Sequence, residues 1–142
     1  MFWDSSALVA TLLDEPRSQQ FIDAFNDDPV PVIWWGTPLE CHAAVVRAVR
    51  EKRVTREEAS EAAERLREAR AQVHEVAPLE AVRTRAMRLL TAHPLRTADS
   101  LQLAASLIWC EEKPASETFV CLDLRLREAA RREGLTLLPA DL

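Results

Sequence analysis

Four short apolar runs that do not alternate with polar residues constrain this chain more than any other feature. They are Met1-Phe2-Trp3, Val30-Pro31-Val32-Ile33-Trp34-Trp35, Thr118-Phe119-Val120-Cys121-Leu122 and Leu135-Thr136-Leu137-Leu138. A strand wetted on one side alternates; a strand buried on both faces reads as a near-continuous apolar run, and such strands belong to parallel sheets covered by helices. A fifth run, Gln72-Val73-His74-Glu75-Val76, is less apolar and suits a sheet edge. Helical patterns fill the intervals. Ala7 to Asp14 follows Ser5 and Ser6, either of which can cap it, and Ser18 to Phe25 follows Pro16. Pro38 opens a helix to Arg50 that places Leu39, Ala43, Val46 and Val49 roughly on one face. Thr55 and Glu58 form a capping-box pattern ahead of Glu57 to Arg70, and Pro78 opens a segment to about Thr91. Thr97 caps Ala98 to Cys110, and Gly134 ends Leu124 to Glu133. The alternation predicts one α/β domain over 1–142, a sandwich around a parallel sheet. The stretch from Arg47 to Arg70 intersperses opposite charges at helical spacing, as a solvated or partner-binding helical arm does.

Several chemistries are excluded. Gly36 and Gly134 are the only glycines, too few for a phosphate loop or a dinucleotide fingerprint. Tyr is absent, no G-x-S-x-G elbow occurs, and His42, His74 and His93 share no metal-ligand spacing. Cys41, Cys110 and Cys121 are odd in number and lack a CxxC pair, which reads as small buried side chains in a reducing compartment. No apolar run approaches the roughly 20 residues of a membrane span. No basic-then-apolar start is visible, so a cytoplasmic protein without a membrane partner is expected. The net charge of −5 is not the footprint of a non-specific nucleic-acid binder. A nuclease stays open, because metal-binding acids supply negative charge themselves.

Four acids stand where a strand hands over to a helix. Asp4 follows the first run directly, Asp123 follows the Thr118–Leu122 run, and Glu40 and Asp99 lie in the first turns of helices. A carboxylate in a first helical turn is favoured by the helix dipole whatever its function. The coincidence of four is what points further, since a parallel sheet brings them to one end, where ligands bind in open α/β folds. Clustered carboxylates repel and their pKa values rise unless a cation neutralises them. Mg²⁺ takes oxygen ligands and completes its shell with waters and substrate phosphate. An aspartyl-nucleophile phosphatase also places an Asp after its first strand, but it needs a second acid two residues on, where this chain has Ser6.

At these residues the chain resembles a PIN domain, and within that superfamily the VapC-type toxins of bacterial toxin–antitoxin pairs. The resemblance rests on Asp4-Ser5-Ser6-Ala7-Leu8-Val9, Pro38-Leu39-Glu40, Leu95-Arg96-Thr97-Ala98-Asp99-Ser100-Leu101-Gln102-Leu103-Ala104, Phe119-Val120-Cys121-Leu122-Asp123-Leu124-Arg125-Leu126 and Ala129 to Leu135. It implies a three-layer sandwich with a parallel five-stranded sheet, and a Mg²⁺- or Mn²⁺-dependent endoribonuclease inhibited by a cognate antitoxin. Asp4, Glu40, Asp99 and Asp123 match the family's acidic quartet. Asp4, Asp99 and Asp123 are the expected metal ligands, and Glu40 holds a second ion or the attacking water. Ser6 matches a hydroxyl residue that supports the first acid, and Thr97 the cap of the third acid's helix. Where the family often has Thr before the strand-end acid, this chain has Cys121 and Leu122, which leaves Asp123 fewer local donors. Arg96, Arg125 and Arg127 are candidates to meet RNA phosphates. The Trp34-Trp35 pair and the polar arm suggest surface for a homodimer and an antitoxin. The alternative from another class is a catalytically degenerate module of the same fold that only binds RNA or protein.

Overall fold

The computed structural model describes residues 1–14 and 16–141. Five strands, β1 (Phe2–Trp3), β2 (Val32–Trp34), β3 (His74–Val76), β4 (Thr118–Val120) and β5 (Thr136–Leu138), form one all-parallel sheet in the order β3-β2-β1-β4-β5. Among the described residues seven α-helices flank it: α1 (Ser5–Leu12), α2 (Ser18–Asn26), α3 (Thr37–Arg50), α4 (Arg56–Arg70), α5 (Glu80–Ala92), α6 (Thr97–Trp109) and α7 (Leu124–Arg132). No helix among the described residues is long and apolar enough to cross a membrane.

Successive residues of each strand enter different cores. Phe2, Val32, Trp34, Phe119 and Cys121 pack on one face with residues of α5, α6 and α7, among them Val82, Leu89, Leu103 and Leu126. Trp3, Ile33 and Val120 pack on the other with Leu8, Leu12, Phe21, Val45 and Leu66 of α1 to α4. The result is the three-layer α/β sandwich with a parallel five-stranded sheet that the resemblance implied. The weakly apolar run became edge strand β3, with His74 and Glu75 exposed.

Three local expectations change. Helix α3 buries Thr37, Cys41, Val45 and Ala48, not the stripe begun by Leu39. Both stripes are apolar enough for a core; the small Cys41 and Ala48 sit on the face of α3 that packs with α1 and α4, and Leu39 is left exposed. The Trp pair divides, with Trp34 buried and Trp35 exposed, as period-two geometry requires. The polar arm is no free arm: α4 buries Ala62, Leu66 and Ala69 while its charged face meets solvent. Its capping box is formed, with the Glu58 amide donating to Thr55 Oγ1 at 3.1 Å and the Thr55 amide to Glu58 Oε2 at 2.7 Å.

Gly36 lets the chain turn from β2 into α3. A Cβ there would lie 2.6 Å from Nε1 of the Trp34 indole. That close passage delivers the first turn of α3 to the carboxyl end of the sheet.

A charged clasp fixes the connection into α6. His93, which caps the C-terminus of α5, places Nε2 2.7 Å from Glu133 Oε1, and Arg85 Nη2 donates to Glu133 Oε2 at 2.7 Å and also bonds Glu112. Partial burial pushes the Glu133 pKa up, but the His93 and Arg85 hydrogen bonds and the Arg85 charge outweigh it and hold the carboxyl below its usual range. A depressed native pKa stabilises above the ordinary carboxylate pKa and is lost as pH falls through the native value. Glu133→Gln should therefore lower the melting temperature at pH 7, and its deficit should shrink below about pH 4. Melts of both proteins from pH 3 to 7 test this; a deficit independent of pH would assign Glu133 a packing role only.

Candidate active site

The strand order reverses between β1 and β4, so the crevice beyond their carboxyl ends is the topological switch point of the sheet. Asp4 follows β1 directly and is 3 % exposed. It, not Ser5 or Ser6, caps α1: Oδ2 accepts from the Ser6 amide at 2.9 Å and from the Ser6 hydroxyl. The Cys121 thiol approaches the same oxygen at 3.5 Å. Ser6 Oγ also accepts from the Leu122 amide at 2.8 Å, so one hydroxyl ties the end of β4 to the acid at the end of β1.

Glu40, in the first turn of α3, is gripped from two other helices. Ser5 Oγ donates to Oε2 at 2.9 Å, and Gln102 Nε2, from α6, donates to Oε1 at 3.1 Å. Asp99, in the first turn of α6, accepts from the Arg96 amide at 3.2 Å. Arg96 is thus the N-cap and Thr97 the first helical residue, which corrects the capping role expected of Thr97. Asp123 is exposed and caps α7, its Oδ1 accepting from the Arg125 and Leu126 amides, each at 2.9 Å. The shortage of donors expected for Asp123 is therefore met by backbone. The Cys121 thiol serves Asp4 and the Asp123 backbone carbonyl instead.

The acids sense one another. Burial raises the Asp4 pKa more than the Ser6 and Cys121 hydrogen bonds lower it, and the charge of Asp99 adds to the rise. Burial also raises Glu40, with Asp4 and Asp99 contributing against the Ser5 and Gln102 donors. Asp99 is raised by burial and by Asp123, and partly relieved by the Arg96 amide and the charges of Arg96 and Arg125. The buried Cys41 and Cys121 thiols are pushed up by burial and by Asp4, so neither is a thiolate nucleophile. Among the described residues no three His, Cys, Asp or Glu side chains stand close enough together to enclose an ion.

Of the cations expected at phosphate, Arg96 and Arg125 are exposed beside Asp99. Arg127 is not available. It is 4 % exposed and donates to the Cys121 carbonyl at 2.8 Å, the Pro139 carbonyl at 2.6 Å and the Ala140 carbonyl at 3.1 Å. Strand β4 ends and the carboxyl-terminal segment passes alongside it, so an interior cation there closes both.

Ser5, Thr37 and Gln102 were not singled out from sequence. Gln102 stands three residues after Asp99 and Thr37 three before Glu40, spacings that share a helix face and could have marked both. No family model and no curated protein matches the chain.

Proposed function

We propose that this chain is a metal-dependent endoribonuclease of the PIN type, acting as the toxin of a toxin–antitoxin pair. The observation that carries the reading is the convergence of Asp4, Glu40 and Asp99, from three separate elements, with pKa values raised by burial and by one another. Carboxylates held this way call for a cation. The carboxylates offer oxygen donors, Oδ1 of Asp4 takes no hydrogen bond from the described residues, and the thiols beside them, Cys41 and Cys121, are pushed up by burial and by Asp4. That chemistry fits a hard ion such as Mg²⁺ or Mn²⁺. With no ion-enclosing trio among the described residues, such an ion would be bound through one or two carboxylates, with waters and phosphate completing its shell.

Asp4 and Asp99 would hold the ion, with Asp123 at the exposed rim. When bound, it would supply charge neutralisation at phosphate and a more acidic water. Glu40, fixed by two donors, orients the attacking water and accepts a hydrogen bond from it. As the water oxygen forms the new bond to phosphorus its proton passes to Glu40, the P–O ester bond breaks, and the leaving oxygen takes a proton from solvent. Arg96 and Arg125, on the side of Asp99, meet the flanking phosphates. On this reading a small antitoxin places a basic side chain at the acidic mouth, and the exposed Trp35 and Leu39 add apolar surface for it or for a second copy.

The degenerate binding module is the competing reading, and the absence of an ion-enclosing trio among the described residues favours it. Mn²⁺ separates the two. An ion that binds only the folded chain stabilises it by about 2.7 kcal/mol at a hundredfold excess over Kd. The nuclease reading expects Mn²⁺ to raise the melting temperature by several degrees, RNA cleavage to require it, and Asp99→Asn to lose most of the shift. No shift, or equal shifts in wild type and Asp99→Asn, would sink it.

A further inference from the structure

We infer that Thr37 and Gln102 act as positioning residues for Glu40, forming a one-way hydrogen-bond relay that holds its carboxylate in the plane needed at the acidic crevice. The inference rests on the nuclease reading for its consequence in catalysis, and on the geometry alone for the relay itself.

Both residues are fully buried. Thr37 Oγ1 donates to Gln102 Oε1 at 3.1 Å, and Gln102 Nε2 donates to Glu40 Oε1 at 3.1 Å. The direction is set by chemistry. An ionised carboxylate only accepts, so Gln102 must present its NH₂ to Glu40; its carbonyl then faces Thr37, which has a proton to give. Turning the amide over would set an oxygen against the Glu40 carboxylate. The Glu40 carboxylate thus sets the amide's orientation, and the Thr37 hydroxyl, by donating to the carbonyl left on the other side, holds the amide in place.

The burial is hard to explain otherwise. A glutamine inside an apolar layer is costly unless its groups are paired. Gln102 is as fully buried as the neighbouring core residue Leu103 of α6, at a depth where an apolar side chain would cost less. Glu40 has the opposite problem: three rotatable bonds at a half-exposed position leave its head free to wander. Ser5 restrains one oxygen and Gln102 the other, from different helices, so together they define the carboxylate plane. Thr37 and Glu40 lie on one helical face, and so do Asp99 and Gln102, so α3 and α6 each carry one acid and one member of the relay.

The test uses the full chain, uniformly ¹⁵N-labelled, in wild-type, Thr37→Val, Thr37→Ser and Glu40→Ala forms. Thr37→Val keeps the shape and removes the hydroxyl. The first measurement needs no activity: the side-chain NH₂ signals of Gln102 in metal-free protein. They should be slow to exchange in wild type and in Thr37→Ser, and should move and exchange faster in Thr37→Val and in Glu40→Ala. The second is cleavage of a short RNA with Mn²⁺. The loss of one such hydrogen bond should lower kcat about tenfold in Thr37→Val. KM should stay within about twofold, and Thr37→Ser should restore kcat. A folded Thr37→Val protein with unaltered Gln102 signals would overturn the relay. Altered signals with an unchanged kcat, or no rescue by serine, would overturn its role in positioning. If wild type cleaves nothing, the nuclease reading fails, the positioning role falls with it, and the amide signals still decide whether the relay exists.

Discussion

On the nuclease reading, Asp4→Asn is expected to abolish RNA cleavage while raising the melting temperature of the metal-free protein. The two effects come from the same carboxylate. Asn is as good an N-cap as Asp, so the Ser6 amide keeps its acceptor and α1 keeps its start. What disappears is a charge held 3 % exposed beside Asp99. Losing the outer partner of a metal ligand costs about 10- to 100-fold in activity, so losing the ligand itself should cost more than about 100-fold. Relief of buried like charge should stabilise, and each 1 kcal/mol gained is worth roughly 2–8 °C in a domain of this size. Cleavage assays with Mn²⁺ and melts in EDTA measure both. A mutant that melts lower and still cuts would mean that Asp4 is only a helix cap.

Arg127→Met should be the most damaging change remote from the acids, with a fall in melting temperature of roughly 10 °C. Methionine refills the aliphatic stem and removes a buried charge, which alone would help. It cannot donate to the Cys121, Pro139 and Ala140 carbonyls: the buried Cys121 acceptor left dry costs about 1–3 kcal/mol, and the partly buried bonds that tie the carboxyl-terminal segment to β4 are lost with it. The penalty wins because a buried acceptor is left dry and the tie on the carboxyl-terminal segment goes with it. Arg127→Lys should recover part of it, since an ammonium reaches fewer carbonyls at once. A drop of under about 2 °C in Arg127→Met would mean that water reaches those carbonyls readily.

Arg127 also shows where the sequence was mute. Arg125 and Arg127 look alike in it, two basic residues in the first turn of α7, yet one faces solvent beside Asp99 and the other turns inward. Only the path of the chain past Pro139 decides that. The strands were legible because burial on both faces leaves an unbroken apolar run, and the acids because each stands at a strand-to-helix junction. Helix faces were less legible: α3 carries two apolar stripes, and the choice was made by its packing with α1 and α4, which the pattern along α3 alone does not contain. The caps were misassigned for a related reason. Serine and aspartate both accept at an N-terminus, and at the start of α1 the aspartate took the position. Thr37 and Gln102 carry one faint signal, the three-residue spacing that puts each on the helix face of an acid, and every helix face offers such spacings until the partner is in place.

Asp4 and Asp123 each begin a helix as well as facing the crevice, whereas Glu40 begins none. This double duty sets the path by which such a chain can decay. A copy released from selection for catalysis can lose the charge at positions 4 and 123 cheaply only by drifting to Asn, Ser or Thr, which still start a helix. At position 40 the filter is the buried Gln102 amide and not a helix start, so the cheap replacement is one that still offers that amide an acceptor, such as Gln. Inactive descendants should therefore carry a recognisable scar: amide or hydroxyl residues where the two aspartates stood, and an amide where the glutamate was.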